Sequence, residues 1–248
     1  MLSNTKLHFA RFEFKYLLSP QLRRDLESEL RYFMEFDPYV EQQPNHQYFV
    51  RSLYFDDPSH SAFFDKVDGL HTRSKFRVRT YTNQDQDETP QFLEVKGRYN
   101  NLVLKHRVQL TAEGISSGIR SDQLVNRLLK ITPPGSVGQK FEYDLFRKQL
   151  RPVALVDYTR RPYISRFDPE FRLTFDSKLT ATMTRALFPE PQARTRQMLP
   201  GYTVMEVKFR RTIPSWFHRL IQAYELRRLS VSKICHAMEV LDLAHDPN

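Results

Sequence analysis

Three consecutive segments between residues 75 and 108 alternate charged and apolar side chains. Residues two apart on a β-strand point to the same face, so each segment predicts a strand with one charged and one apolar face. In the first segment, Arg77 and Arg79 share the charged face, while Phe76 and Val78 take the other. The charged face of the second and third segments carries Glu94, Lys96, Lys105 and Arg107. This alternation is typical of antiparallel strands that pack one face on a core.

The same alternation recurs in segments before and after this stretch. Strands are predicted over 8–18, 47–57, 152–164, 171–179 and 202–210. The segments 92–96 and 204–208 both contain Glu-Val-Lys, so Glu94 and Glu206 each stand two residues before a lysine. The best break in the chain is the Pro-Pro-Gly sequence at 133–135, but charged strands lie on both sides of it. A single domain over residues 1–248 is therefore expected.

Helices are predicted between and after these strands. Ser19 and Pro20 suit the N-cap and first position of a helix that ends before Asp37. Further helices are predicted over 112–118, 122–131, 138–150, 214–226 and 231–243, whereas 188–199 is predicted to be a loop. Together with the strands, these segments predict an α+β fold.

Basic residues dominate the charged strand faces. The cations are Lys15, Arg77, Arg79, Lys96, Lys105, Arg107, Arg161, Arg172, Lys208 and Arg210. If about eight antiparallel strands close into a barrel, these faces converge on one lumen. The cations in that lumen would repel one another unless it held a polyanion. Arginine and lysine suit phosphate oxygens. The carboxylates Glu13, Glu94 and Glu206 could then hold a divalent cation that bridges to phosphates.

Composition narrows the function classes. The formal net charge is +9, which indicates an anionic partner: a nucleic acid, an anionic membrane surface or a phosphate-rich small molecule. Cys235 is the only cysteine, which excludes an internal disulfide framework and a cysteine-cluster metal site. The sequence has no apolar run long enough to span a bilayer and no apolar signal core near its start. A cytoplasmic protein is therefore expected.

Eight short stretches, taken in order, carry a family resemblance. They are 11–16, 52–56, 75–79, 92–96, 160–163, 172–176, 205–208 and 232–233. Over about 11–238 the chain resembles the VTC domain, the catalytic domain of polyphosphate polymerases in the CYTH superfamily of triphosphate tunnel metalloenzymes. The resemblance implies a closed antiparallel tunnel barrel with flanking helices. It also implies transfer of the γ-phosphate of ATP onto inorganic polyphosphate, with Mn²⁺ or Mg²⁺.

The resemblance also implies roles for individual residues. The residues expected to grip phosphates for catalysis are Arg77, Arg79, Lys96, Arg161 and Arg172. The residues expected to bind substrate elsewhere in the tunnel are Lys15, Lys105, Arg107, Lys208, Ser232 and Lys233, where either Lys105 or Arg107 supplies the cation of the third strand. The main expected metal ligand is Glu206, with Glu13 and Glu94 as further candidates. Arg160 and Arg161 face opposite ways, and the alignment favours Arg161.

Two other function classes stay open. One is a tripolyphosphate or nucleoside triphosphate hydrolase on the same barrel. Many tunnel metalloenzymes begin with Glu-x-Glu-x-Lys, but Arg11 replaces the first carboxylate here, which argues against the hydrolytic branch. The other is a non-catalytic module that binds polyphosphate or nucleic acid. Nucleic acid is not expected, because the aromatic residues alternate away from the cations, unlike a stacking platform. Export of a polyphosphate product would need a membrane-protein partner.

Overall fold

The computed structural model describes residues 9–85, 89–99, 102–119 and 121–246. The strands are β1 (Phe9–Leu18), β2 (Met34–Phe36), β3 (Tyr48–Asp56), β4 (Thr72–Thr80), β5 (Phe92–Tyr99), β6 (Leu102–Gln109), β7 (Arg151–Ser165), β8 (Arg172–Thr182), β9 (Thr195–Gln197) and β10 (Thr203–Phe209). The α-helices are α1 (Pro20–Leu30), α2 (Ser61–Val67), α3 (Ser121–Ile131), α4 (Ser136–Lys148), α5 (Ser215–Ala223) and α6 (Lys233–Val240). Two short 3₁₀ helices cover Pro38–Val40 and Pro44–His46.

In this part of the chain, eight antiparallel strands close into a barrel. Their order is β7-β3-β4-β5-β6-β1-β10-β8, and β8 pairs back onto β7. Two short strands add to this barrel: β2 pairs with β7, and β9 pairs with β8. The barrel takes strands from both sides of the Pro-Pro-Gly break at 133–135, which lies between α3 and α4. The predicted closed α+β barrel is therefore confirmed.

The outer face of the barrel is apolar and lies beneath helices. On one side, α3 and α4 place Leu128 and Phe141 against Phe76 and Leu93. On the other side, α1 and α5 cover an equivalent apolar surface that includes Phe175 of β8. Burial of these apolar side chains is the main free-energy term that holds helices to a sheet. The predicted division into an apolar outer face and a charged inner face follows from this packing.

Helix α6 packs differently from α1, α3, α4 and α5. Its residues Ile234 and Met238 join a buried cluster with Val156 and Val204. Val204 lies two residues before Glu206 on β10, so it is on the inner face of the barrel. Helix α6 therefore packs against the inner face. None of the helices among the described residues is long and apolar enough to cross a bilayer.

Several local predictions need correction. The side chain of Ser19 accepts a hydrogen bond from the Leu22 amide at 3.2 Å, as an N-cap should, but α1 ends at Leu30. The chain then forms β2, because this stretch finds hydrogen-bond partners at the edge of β7. The helix predicted over 112–118 is wrong, since Gln91 bonds both the amide and the carbonyl of Ile115 at 2.8 and 2.9 Å. The predicted loop over 188–199 contains β9.

Candidate functional site: a cationic cavity inside the barrel

The barrel encloses a cavity of about 410 Å³. Among the described residues, the lysines and arginines that line it are Arg11, Lys15, Lys66, Arg73, Lys75, Arg77, Arg79, Lys96, Lys105, Arg160, Lys208, Arg228 and Lys233. The carboxylates in the same described lining are Glu13 and Glu206. Most of these cations come from alternate positions of β1, β4, β5, β6, β7 and β10, so the closed barrel brings them together. Such a concentration of positive charge suits a polyanion.

One wall of the cavity, formed by β4, β5 and β6, is built around Glu94. Its carboxylate is fully buried and lies 2.6 Å from Arg77, 3.6 Å from Arg79 and 2.8 Å from Lys105. Burial opposes ionisation, but the charges of Arg77 and Arg79 outweigh it and hold the pKa of Glu94 well below its usual value. Glu94 therefore fixes three cations that belong to β4 and β6, the two strands that flank β5.

Tyr54 extends this wall onto β3. Its hydroxyl accepts a hydrogen bond from Arg77 at 2.9 Å. Burial would raise the pKa of Tyr54, but the charges of Arg77 and Arg79 lower it to about 8. The guanidinium of Arg79 is oriented separately, by the hydroxyls of Ser52 at 3.1 Å and Tyr158 at 3.2 Å. Both arginines are thus held in position before any ligand arrives.

The opposite wall is built around Asp176 of β8. Its fully buried carboxylate accepts two hydrogen bonds from Arg160, at 2.6 and 2.7 Å, and one from Lys233 at 2.6 Å. Burial alone would raise the pKa of Asp176, but Arg160 and Lys233 lower it. This carboxylate therefore joins β7 to the first residue of α6. Arg160 also approaches Glu206 at 3.5 Å, as does Lys208 at 3.6 Å.

The two carboxylates that line the cavity lie on neighbouring strands. Glu13 of β1 is opposite Lys208, and Glu206 of β10 is opposite Lys15, so the two are diagonal neighbours. Glu13 lies 2.6 Å from Lys96. Burial opposes the ionisation of both carboxyls, but Lys96 lowers the pKa of Glu13, and Lys208 is the main charge that holds the pKa of Glu206 well below its usual value. Both are carboxylates at neutral pH.

Three lysines of the cavity have weakened basicity. Burial lowers the pKa of Lys15 to about 8, and it lowers the pKa values of Lys105 and Lys208 to about 7. Neighbouring carboxylates only partly offset this effect, because other cations also lie close. A bound polyanion would stabilise the charged forms, so the cavity would take up protons as the ligand enters.

Most of the residues predicted for the site come together. Those that line the cavity are Arg77, Arg79, Lys96, Lys15, Lys105, Lys208, Ser232, Lys233, Glu206 and Glu13. Glu94 lies beneath the cations, outside the lining. The guanidinium of Arg107 lies 4.6 Å from the ring of Phe92, so Lys105 is the third-strand cation that faces the cavity.

Two predicted residues lie elsewhere. Arg161 binds Glu27 at 2.8 Å outside the cavity, while Arg160 takes the inner position because it alternates with Tyr158 along β7. The sequence alignment chose Arg161 over Arg160, and the structure places them the other way round. Arg172 is the first residue of β8; its side chain is 51% exposed and lies 3.8 Å from Asp37. It is therefore at the end of the barrel, outside the cavity lining.

Sequence reasoning missed the role of Asp176. The alternation of β8 placed it on the charged face, but gave no reason to treat it as more than a solvated carboxylate. Its partners Arg160 and Lys233 come from segments 16 and 57 residues away along the chain. The one available signal was the scarcity of carboxylates on the inner-facing positions, which makes each of them a candidate anchor.

The carboxylates of the cavity also bear on metal binding. The described residues include no group of three or more histidine, cysteine, aspartate or glutamate side chains that could hold a metal ion. Mg²⁺ commonly uses one or two carboxylates together with substrate phosphates. Glu13 and Glu206 fit that pattern, because both line the cavity. Glu94 fits it less well, since three cations already surround it.

The closed barrel and its cationic lumen define a barrel protein whose interior suits a polyanion. A family model described as the VTC domain matches residues 10–242, so the chain belongs to the VTC domain family. Family membership on this fold supports a triphosphate-binding tunnel enzyme. A comparison with curated proteins gave no significant match.

Several solved structures are similar to this chain at low sequence identity. A candidate adenylate cyclase from Bacillus halodurans is 14% identical with a TM-score of 0.52, and the match covers 91% of this chain and 95% of that one. A protein from Pyrococcus horikoshii OT3 is 14% identical with a TM-score of 0.48, covering 93% of this chain and 99% of that one. A candidate adenylyl cyclase from Hippeastrum, described as having a dominant triphosphatase activity, is 12% identical with a TM-score of 0.48. That match covers 93% of this chain and 95% of the Hippeastrum chain.

Proposed function

We propose that this protein is a polyphosphate polymerase that transfers the γ-phosphate of ATP to a growing inorganic polyphosphate chain inside the cavity. The observation that carries the proposal is the pair of anchored walls. Glu94 fixes Arg77 on one side, and Asp176 fixes Arg160 on the other. A chain of phosphates between the walls would meet guanidinium groups whose orientation is already set.

This arrangement suits phosphoryl transfer, which depends mainly on positioning and on stabilising the charge of the transferring group. Arginine offers paired donors to phosphate oxygens, and Arg77, Arg79 and Arg160 are available from two sides. Lys96 and Lys233 add point charges from β5 and α6. In this proposal the protein holds donor and acceptor phosphates in line and keeps the charge of the transferring group neutralised.

Mn²⁺ or Mg²⁺ would be held by Glu206 and Glu13 together with phosphate oxygens of the substrate. The metal would neutralise charge on the β- and γ-phosphates. Glu94 is assigned a different role from the one expected from the sequence: it anchors Arg77, Arg79 and Lys105. This assignment follows from its complete burial and its three cationic neighbours.

Transfer to polyphosphate is favoured over hydrolysis because a bound polyanion keeps Lys105 and Lys208 charged, and the carboxylates of the described cavity are weak bases. A general base works best when its pKa lies near the operating pH. The pKa values of Glu13 and Glu206 are both lowered by their neighbours, so neither is suited to take a proton from water. Arg11 also lies 3.5 Å from Glu13, where it adds positive charge.

The proposal places the protein in the cytoplasm, with ATP and polyphosphate as its ligands. No nucleic acid takes part, and a membrane-protein partner would export the product.

The test follows ADP, free phosphate and long-chain polymer together after incubation with ATP and Mn²⁺, with and without a short polyphosphate primer. We expect one ADP to form for each phosphate added to the polymer. An Arg77→Ala, Arg79→Ala variant should form neither product. The matched control is Arg161→Ala, which removes an arginine outside the cavity. Free phosphate without polymer would identify a hydrolase. Tight polyphosphate binding without turnover would identify a binding module.

A further inference from the structure

A row of aromatic rings crosses the end of the barrel at which β3 begins and β4 ends. The rings of Tyr39 and Tyr48 are 5.3 Å apart, those of Tyr48 and Tyr81 are 5.6 Å apart, and those of Tyr81 and Phe92 are 6.2 Å apart. At the end of the row, the guanidinium of Arg107 lies 4.6 Å from the ring of Phe92. The row runs from the inside of the barrel to the surface, since Tyr39 is 61% exposed.

The row lies outside the described lining of the cavity, but the register places it next to two arginines of that lining. Tyr48 is opposite Arg160 on β7, and Phe92 is opposite Arg79 on β4. Residues that are directly opposite in an antiparallel pair point to the same face. Tyr81 follows Arg79 by two positions, and it packs with Tyr48 against the apolar cluster of the inner face. Tyr48, Tyr81 and Phe92 therefore share the face of the arginines, unlike the aromatics that alternate away from the cations in the predicted strands.

The other end of the barrel has a different character. Lys66, Arg73 and Lys75 line the cavity there, where β4 begins. Inorganic polyphosphate binds to cations, and it has no ring that could stack on an aromatic face. A nucleoside triphosphate needs both: cations for its phosphates and a flat surface for its base. The polarity of the barrel, aromatic at one end and cationic at the other, matches such a ligand.

We infer that Tyr39, Tyr48 and Tyr81 form a nucleobase-stacking site that orients a nucleoside triphosphate with its phosphates directed into the cavity. The inference rests on the proposed function and adds a binding site for the part of ATP that is not transferred. Stacking uses the π-face that every base presents, so this site discriminates little between purine nucleotides. The growing polyphosphate would leave toward the end lined by Lys66 and Arg73.

The test compares the binding of ATP with the binding of inorganic tripolyphosphate, which lacks a base, by calorimetry. A Tyr39→Ala, Tyr81→Ala variant should weaken ATP binding about tenfold and change tripolyphosphate binding less than twofold. A Tyr39→Phe, Tyr81→Phe variant keeps the rings and should bind ATP like the unaltered protein. Tyr143→Ala is the matched control, because Tyr143 is 64% exposed on α4 at the outside of the barrel.

Equal effects of the alanine variant on ATP and tripolyphosphate, whether large or absent, would overturn the stacking site. Loss of ATP binding in the phenylalanine variant would also overturn it, since the hydroxyls rather than the rings would then bind. If the unaltered protein failed to bind tripolyphosphate, the proposed function would fail first. These results distinguish failure of the aromatic site from failure of the phosphate-binding cavity.

Discussion

The segments Phe92-Leu-Glu-Val-Lys96 and Val204-Met-Glu-Val-Lys208 share a sequence pattern but occupy different surroundings. Glu94 of the first segment is fully buried beneath three cations, the nearest at 2.6 Å. Glu206 of the second lines the cavity, and its cationic partners Arg160 and Lys208 are at 3.5 and 3.6 Å. One pattern thus supplies an anchor in one wall and a cavity-lining carboxylate in the other.

The difference shows that the neighbouring strands decide what a Glu-x-Lys pair does. β5 lies between β4 and β6, both of which present cations to Glu94. β10 lies between β1 and β8, where Glu206 is opposite Lys15 and Thr174. A carboxylate crowded by arginines becomes part of the structure, whereas one with looser ion pairs keeps oxygen atoms available for a metal and its phosphates.

The largest expected effect on stability is that of Glu94→Gln. The change keeps the shape of the side chain but leaves Arg77, Arg79 and Lys105 as uncompensated buried cations. Breaking a buried ion pair in this way costs about 3–5 kcal/mol. We expect the free energy of unfolding, measured by urea denaturation, to fall by that amount. A loss below about 1 kcal/mol would contradict the anchoring role.

Glu206→Gln should cost less stability than Glu94→Gln but should strongly reduce metal-dependent activity. Its ion pairs are longer, so we expect a stability loss of roughly 1–2 kcal/mol. Polymer formation should fall about 100-fold or more at fixed Mn²⁺, because a metal ligand is lost, and the Mn²⁺ concentration for half-maximal rate should rise. The measurement is a Mn²⁺ titration of the initial rate in folded protein. An unchanged Mn²⁺ dependence would contradict the assignment of Glu206.

The lysines beside the two glutamates predict a pH dependence of polyphosphate binding. Lys105 and Lys208 both have pKa values lowered to about 7. A bound polyanion would raise them again, because a nearby negative charge favours the charged form of a lysine. Affinity is therefore full below pH 7 and weakens as pH rises from 7 to 9, by up to about tenfold per pH unit for each lysine. A Lys105→Arg, Lys208→Arg variant stays charged and should flatten the profile measured by calorimetry. An equally steep profile in that variant would assign the dependence to other groups.

The smallest expected effects are on polyphosphate binding, where alanine variants of the two neighbouring arginines of β7 should differ. Arg160→Ala removes a cation of the cavity and should weaken polyphosphate binding about tenfold or more. Arg161→Ala removes an ion pair with Glu27 outside the cavity, so we expect less than a twofold change in binding and a stability change within about 1 kcal/mol. Filter binding with labelled polyphosphate checks both. If Arg161→Ala weakened polyphosphate binding more than Arg160→Ala, the result would support the sequence-based expectation that Arg161 binds phosphate.

Much of the barrel was predictable because its alternation is strong. Strands with Arg77 and Arg79 on one face and Phe76 and Val78 on the other leave little choice of orientation, and recurrence of the pattern predicts closure. The end of α1 was less predictable, because tertiary pairing with β7 decides where the chain becomes β2.

The site was predictable only in part, because it too depends on which distant segments pair. Alternation assigns a face to each residue within a strand, but adjacent arginines such as Arg160 and Arg161 need the register of the whole sheet to separate them. The burial of Glu94 and the pairing of Asp176 with Lys233 depend on which strands and helices become neighbours. Contacts between segments so far apart in sequence leave no local pattern.

The most direct test of the division between the two glutamates is a crystal structure with Mn²⁺ and a non-hydrolysable ATP analogue, with Mn²⁺ located by its anomalous scattering. We expect the anomalous peak at Glu206 and Glu13, with phosphates between Arg77 and Arg160. A peak at Glu94, or phosphates bound at Arg161 and Arg172 outside the cavity, would contradict the account.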